Sequence, residues 1–131
     1  MLRMVALWLG LGIALVGSVK AGEAPAGVQR TELQRVDVPG SDYVVITAVT
    51  LLDPGAVIAL HAHPGVEMGY VIEGTVTVSI KGQPDHQYQS GDSFQIPAGA
   101  PHGAINKGTE PLRIVSTFVV EKNKPLRSEP K

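Results

Sequence analysis

Turn-forming dipeptides divide this chain so finely that no long element fits between them. Asp53-Pro54-Gly55, Glu73-Gly74, Lys81-Gly82, Ser90-Gly91-Asp92, Pro97-Ala98-Gly99 and Lys107-Gly108 recur through its middle, each supplying the special backbone angles of tight turns. Between them lie short β-rich runs at Leu33–Val38, Tyr43–Leu52, Val57–His63, Met68–Glu73, Thr75–Lys81, Gln87–Gln89, Ser93–Ile96, Gly103–Asn106 and Leu112–Val120. About nine strands at this spacing predict an all-β sandwich or barrel. Fifteen glycines and ten prolines in 131 residues are a turn excess, since they carry no triplet period. The length suits one domain and is too short for two.

The patterning also says which faces are covered. Val76, Val78 and Ile80 alternate with Thr75, Thr77 and Ser79, as in a strand with one buried face. Tyr43–Leu52 and Tyr70–Ile72 are apolar on both faces and need two covers. The domain's own core is one cover, and a second copy of the chain is the expected other, which predicts a homodimer.

Residues 1–21 read as a signal peptide. Arg3 precedes an uncharged run from Met4 to Val19, shorter than the roughly 20 residues a membrane helix needs, and Val19-Lys20-Ala21 offers a small-residue cut after Ala21. The mature protein is then exported, periplasmic or secreted, with no stable membrane anchor. Arg3 stands alone, so a twin-arginine signal is absent; the chain is expected to cross unfolded and to fill any metal site after export. Residues 22–30 read as a flexible spacer, 31–122 as the β domain and 123–131 as a loose polar tail.

Composition removes several functions. The formal charge is −1 and no Lys or Arg run occurs, so nucleic acid is not an expected partner. There is no cysteine, which rules out disulfides, thiolate metal sites and cysteine nucleophiles. Chemistry must come from His, carboxylates or hydroxyls.

Three of the four histidines stand in two glycine-bounded blocks. Gly55 is followed after five residues by His61-Ala62-His63, then by Glu67 and Gly74. Gly91 is followed after five by Pro97, then by Gly99, His102 and Asn106. His61 and His63 are two apart on a strand and share a face. Pro64-Gly65 lets Glu67 return towards it, and a second hairpin can aim His102 at the same point. Three imidazoles and a carboxylate converging in a barrel interior form a site for a divalent transition metal, because burying them unpaired costs several kcal/mol. His86 falls outside both blocks and reads as an exposed loop residue. Asn106 suits a turn, accepting a backbone hydrogen bond near Lys107-Gly108.

These blocks resemble the two motifs of the cupin superfamily, with every specified position met. The resemblance covers roughly residues 45 to 110. It implies a small cupin-type jelly-roll β-barrel, a double-stranded β-helix, with His61, His63, Glu67 and His102 as ligands of one divalent ion: Fe, Mn, Ni, Co, Cu or Zn. It also implies likeness to small exported bacterial cupins. Cupins carry many reactions, so the fold says little about which one operates. Two functions follow as expectations: a metal-dependent enzyme acting on a small polar oxygen-bearing molecule (a carboxylate, sugar acid or dicarbonyl, by dioxygenase, isomerase or lyase chemistry), or a non-catalytic metal- or ligand-binding and sensing protein. No second acid–base pair stands out beside the ligands, and Gln95, sharing parity with Ser93, is the candidate substrate contact. A serine hydrolase is disfavoured, since no Gly-x-Ser-x-Gly elbow is present.

Overall fold

The structure, a computed structural model, describes residues 25–130, so the segment read as a signal peptide lies outside the described residues. Nine strands follow in chain order: β1 (Val28–Asp37), β2 (Tyr43–Leu52), β3 (Val57–His61), β4 (Gly65–Glu73), β5 (Thr75–Ile80), β6 (His86–Gln89), β7 (Ser93–Ile96), β8 (His102–Ile105) and β9 (Leu112–Glu121). They form a five-stranded sheet in the order β1-β2-β9-β4-β7 and a four-stranded sheet in the order β3-β8-β5-β6. No helix occurs among the described residues, and the all-β expectation holds.

The turns sit where the glycines placed them. Gly55, Gly74, Gly91 and Gly99 all have φ between 71° and 93°, a region that side chains with a Cβ avoid. The chain does not simply fold back at the two blocks, however. β3 and β4 belong to different sheets, as do β7 and β8. Pro64-Gly65 and Pro97-Ala98-Gly99 are therefore crossings from one sheet to the other rather than hairpins within one. This brings the two blocks face to face.

The core lies between the sheets in two clusters. Leu52, Val71, Val76 and Leu112, each fully buried, anchor the first; Val44, Ile46, Ala48, Phe118 and Val120 form the second. Along β9 the inward row reads Leu112, Ile114, Ser116, Phe118, Val120, so a serine separates the two clusters. The strand parity of β4 follows the sequence reading: Glu67 and Val71 are buried, while Met68 and Tyr70 are exposed. Across β2, β9 and β4 the outer face of the larger sheet aligns Val45 with Val119 and Val66, and Val49 with Val115 and Tyr70. That face is apolar and is left uncovered by the described residues.

Two boundaries differ from the sequence reading. β1 begins at Val28, inside the stretch read as a spacer, because Val28 pairs with Leu52 and joins the core. The tail is not loose over its first part either. Ala62 and Ser128 exchange backbone hydrogen bonds of 3.1 and 3.0 Å, and Leu126 packs on the second cluster. His86 is exposed as expected but opens β6 rather than standing in a loop.

Asn106 closes the turn after β8. It is fully buried; its amide donates to the carbonyls of Leu52 (3.1 Å) and Glu110 (2.8 Å), and its side-chain oxygen accepts from Gly108 N–H (3.0 Å). Asn106→Ala leaves these three backbone groups without partners, and stability should fall by on the order of 3 kcal/mol. Urea denaturation should show a lower midpoint with unchanged slope; an unmoved midpoint would mean that water replaces the amide without cost.

Candidate metal centre

His61 ends β3, and His102 opens β8 directly opposite it. Both project inward from the smaller sheet, and His63 stands in the crossing that follows β3. Glu67 reaches the same point from β4, on the opposing sheet. All four side chains are buried. His61 Nε2 lies 3.2 Å from His63 Nε2, and Glu67 Oε2 lies 3.2 Å from His63 Nε2 and 3.3 Å from His102 Nε2.

The far side of each ring decides what these separations mean. The Nδ1 of His61 donates to the carbonyl of Ala59 (2.9 Å), that of His102 to Ala100 (2.9 Å), and that of His63 to Leu126. A carbonyl only accepts, so each Nδ1 carries the hydrogen; the tautomers follow from this network. A neutral ring then presents a bare lone pair at Nε2. With the hydrogens on Nδ1, three lone pairs and a carboxylate oxygen converge, an arrangement that a bound cation would relax. Two nitrogens at about 2.1 Å from one ion and at right angles to each other stand about 3 Å apart, which the observed spacings match. The three histidines can hold a metal ion, and Glu67 is placed to complete the set.

Electrostatics agree with that assignment. Burial lowers the His61 pKa to about 4, from 6.5, so its ring is neutral at pH 7. Burial pushes the Glu67 carboxyl up, and the Ser116 hydroxyl, which donates to it, pulls it the other way. Ser116 Oγ donates to Glu67 Oε1 at 2.7 Å, which aims the other oxygen at the histidines.

The site opens into a cavity of about 500 Å³. Its walls come mostly from apolar side chains, including Ile58, Val78, Phe94, Ile114 and Phe118. Room for the Phe94 ring exists because residue 69 is glycine: a Cβ there would meet that ring at 2.1 Å.

The comparisons with known proteins agree with this geometry. A family model described as a cupin domain matches residues 48–118. The chain belongs to the cupin family. Among solved structures, a conserved protein with a double-stranded β-helix domain from Klebsiella pneumoniae superposes with a TM-score of 0.64 at 27% identity, over 83% of this chain and 89% of that one. A recombinant oxalate oxidase in complex with glycolate gives a TM-score of 0.65 at 26% identity, over 81% of this chain and 56% of that one. Among curated proteins, the HTH-type transcriptional regulator PuuR of Escherichia coli is 39% identical over 54 residues, or 41% of this chain and 29% of the regulator. The cupin thus spans under a third of that relative.

The sequence reading misplaced one residue of this cupin and missed others. Gln95 is exposed and pairs with Met68 on the outer face of the larger sheet. The inward residues of β7 are Phe94 and Ile96, so Gln95 does not line the cavity and is withdrawn as a substrate contact. Ser116 was missed, although a lone hydroxyl in the inward apolar row of β9 was a signal for it. Arg30 and Arg127 also line the cavity, from stretches read as spacer and tail.

The depressed His61 value fixes the sign of a pH effect. In the unfolded chain this imidazole protonates near pH 6.5, and in the fold only near 4. Between these values the unfolded state binds more protons, so the stability of the metal-free protein should be full above 6.5 and should fall as pH drops towards 4. Denaturation in excess chelator at pH 7 and pH 5 checks this: wild type should lose more stability between the two than His61→Gln. An equal loss in both proteins would remove His61 as a source of the effect.

Proposed function

We propose that this cupin is an exported, metal-dependent enzyme acting on a small polar oxygen-bearing molecule that enters the 500 Å³ cavity. The observation that carries the reading is the convergence of three imidazole lone pairs with one carboxylate oxygen at the base of a mostly apolar cavity. His61, His63, Glu67 and His102 would hold a divalent transition ion. Such an ion, when bound, supplies Lewis acidity or activation of oxygen. The chain's own residues do the rest: Ser116 orients Glu67, the carbonyls of Ala59, Ala100 and Leu126 fix the rings, and Phe94 and Phe118 exclude water from the walls. Likeness to oxalate oxidase bound to glycolate supports a carboxylate or related oxygen-bearing substrate.

A second reading is a non-catalytic metal- or ligand-binding protein. One observation favours it. Glu67 is the only carboxylate lining the cavity among the described residues, and it is committed to the histidines and Ser116. Beside it, the ionisable groups of the described lining are the three histidines and two arginines. Similarity to part of a transcriptional regulator points the same way, while offering no support for nucleic acid as a partner of this domain.

Elemental analysis of the exported protein, followed by a panel of small acids, sugar acids and dicarbonyls scored for turnover and for thermal stabilisation, separates the two readings. Turnover establishes the enzyme; stabilisation without turnover establishes the binding protein. A metal bound to the fold alone should add about 2.7 kcal/mol at 100 times its dissociation constant, so chelation should lower the melting temperature. His61→Ala should abolish both metal content and the chelator response, and His86→Ala, outside the cavity, should leave both intact. The reverse pattern would overturn the site.

We also propose that two copies pair through the apolar outer face of the five-stranded sheet, which carries Tyr70 and Met68 at 48% and 49% exposure. Light scattering at micromolar concentration should give twice the chain mass, and Tyr70→Lys should shift it to the monomer. A monomeric wild type overturns the pairing.

A further inference from the structure

The four arginines among the described residues divide into two kinds. Arg35 and Arg113 lie on the outside and sit on carboxylates, at 2.9 Å from Glu32 and 3.5 Å from Glu73. Arg30 and Arg127 line the cavity, and neither forms an ion pair among the described residues. This is unusual chemistry for a chain with more acidic than basic residues, where surface guanidiniums find carboxylates easily.

Both cavity arginines are exposed, and neither rests on a carboxylate as Arg35 and Arg113 do. The Arg30 guanidinium lies 4.5 Å above the centroid of the Phe118 ring, and that ring meets the His63 ring edge-on at 4.9 Å. Stacking on an aromatic face leaves the in-plane N–H fork of a guanidinium free to donate. Arg127 stands between two anchored neighbours. Leu126 accepts from His63 Nδ1 and packs its side chain on the second core cluster, and Ser128 is bridged to Ala62. One of its own N–H groups donates to Ala59 O at 3.3 Å, leaving the others unused.

The two cations oppose each other. The pKa of Arg30 is lowered, first by burial of its guanidinium; Glu67 opposes this more strongly than the charge of Arg127 adds to it, and Glu32 opposes it as well. Against these two guanidiniums the cavity lining holds one carboxylate, Glu67, and a divalent ion would enlarge the positive excess. An anion is what the cavity lacks.

We propose that Arg30 and Arg127 form a two-guanidinium clamp at the mouth of the cavity that selects small carboxylate anions, and that the C-terminal segment carrying Arg127 is therefore part of the binding site. A planar guanidinium matches a carboxylate in two parallel hydrogen bonds, which a neutral oxygen-bearing molecule of the same size cannot replace. The clamp deepens the function proposed above and rests on it for one point, that the far end of the anion meets a metal. It also explains why the segment after β9 docks: the same few residues orient a histidine of the metal centre and deliver a cation to the opening.

The test uses the full mature chain loaded with Mn²⁺, and calorimetric titration with oxalate, malonate and succinate beside the corresponding neutral diamides. At least one dianion should bind, and its diamide should bind at least tenfold more weakly. Arg30→Gln and Arg127→Gln should each weaken the dianion by about tenfold while leaving Mn²⁺ content unchanged, and Arg35→Gln should change neither. The clamp is overturned if diamides bind as tightly as dianions, if no dianion binds, or if the Arg30→Gln/Arg127→Gln double variant retains wild-type affinity. Titration of metal-free protein separates this from the metal reading: dianion binding that depends on the arginines but not on Mn²⁺ upholds the clamp and removes the ion as its second anchor.

Discussion

Three imidazole lone pairs turned towards one another are the constraint on which the rest of this structure depends. Left alone they repel, and with Glu67 beside them the cluster holds four acceptors and no hydrogen. It is kept in that state by three backbone carbonyls, those of Ala59, Ala100 and Leu126, each taking the Nδ1 hydrogen of one ring. Those bonds choose the tautomer, and the tautomer sends the lone pairs inward. Such an arrangement suits a cation at its centre, because a positive charge there would recover the energy lost by crowding acceptors.

The jelly roll is a means of bringing these groups together from separate sheets. His61 and His102 are cross-strand neighbours, so their approach follows from register alone. Glu67 belongs to the other sheet, and its distance from the histidines is set by how closely the two layers pack. The apolar clusters on either side of Ser116 set that spacing. Gly69 leaves room for Phe94, and Ser116 replaces a hydrophobic side chain in an otherwise apolar row, so the cavity exists where the core was left incomplete.

Membership in the cupin family explains the barrel and where its histidines converge, yet similar proteins include an oxalate oxidase and, over part of the chain, a transcriptional regulator. Beyond the motif residues, the cavity carries charge of its own. There two arginines without ion-pair partners among the described residues face a mostly apolar pocket, and both come from the ends of the domain rather than from the strands that carry the motifs.

The sequence by itself determined the class of fold, the turns and the four side chains that converge. Glycines at positions 55, 74, 91 and 99 adopt positive φ as any chain would require of them, and alternation sorts β4 into a buried and an exposed face, because these are local properties of backbone and side-chain parity. Tertiary structure alone decided the rest. That the two blocks are crossings between sheets, that Gln95 faces outward, that Val28 and Leu126 dock, and that Arg30 and Arg127 both line the cavity all depend on which strands lie opposite each other. Such contacts join residues as far apart as His63 and Leu126, 63 positions along the chain, and neither periodicity nor spacing within a short window carries that information.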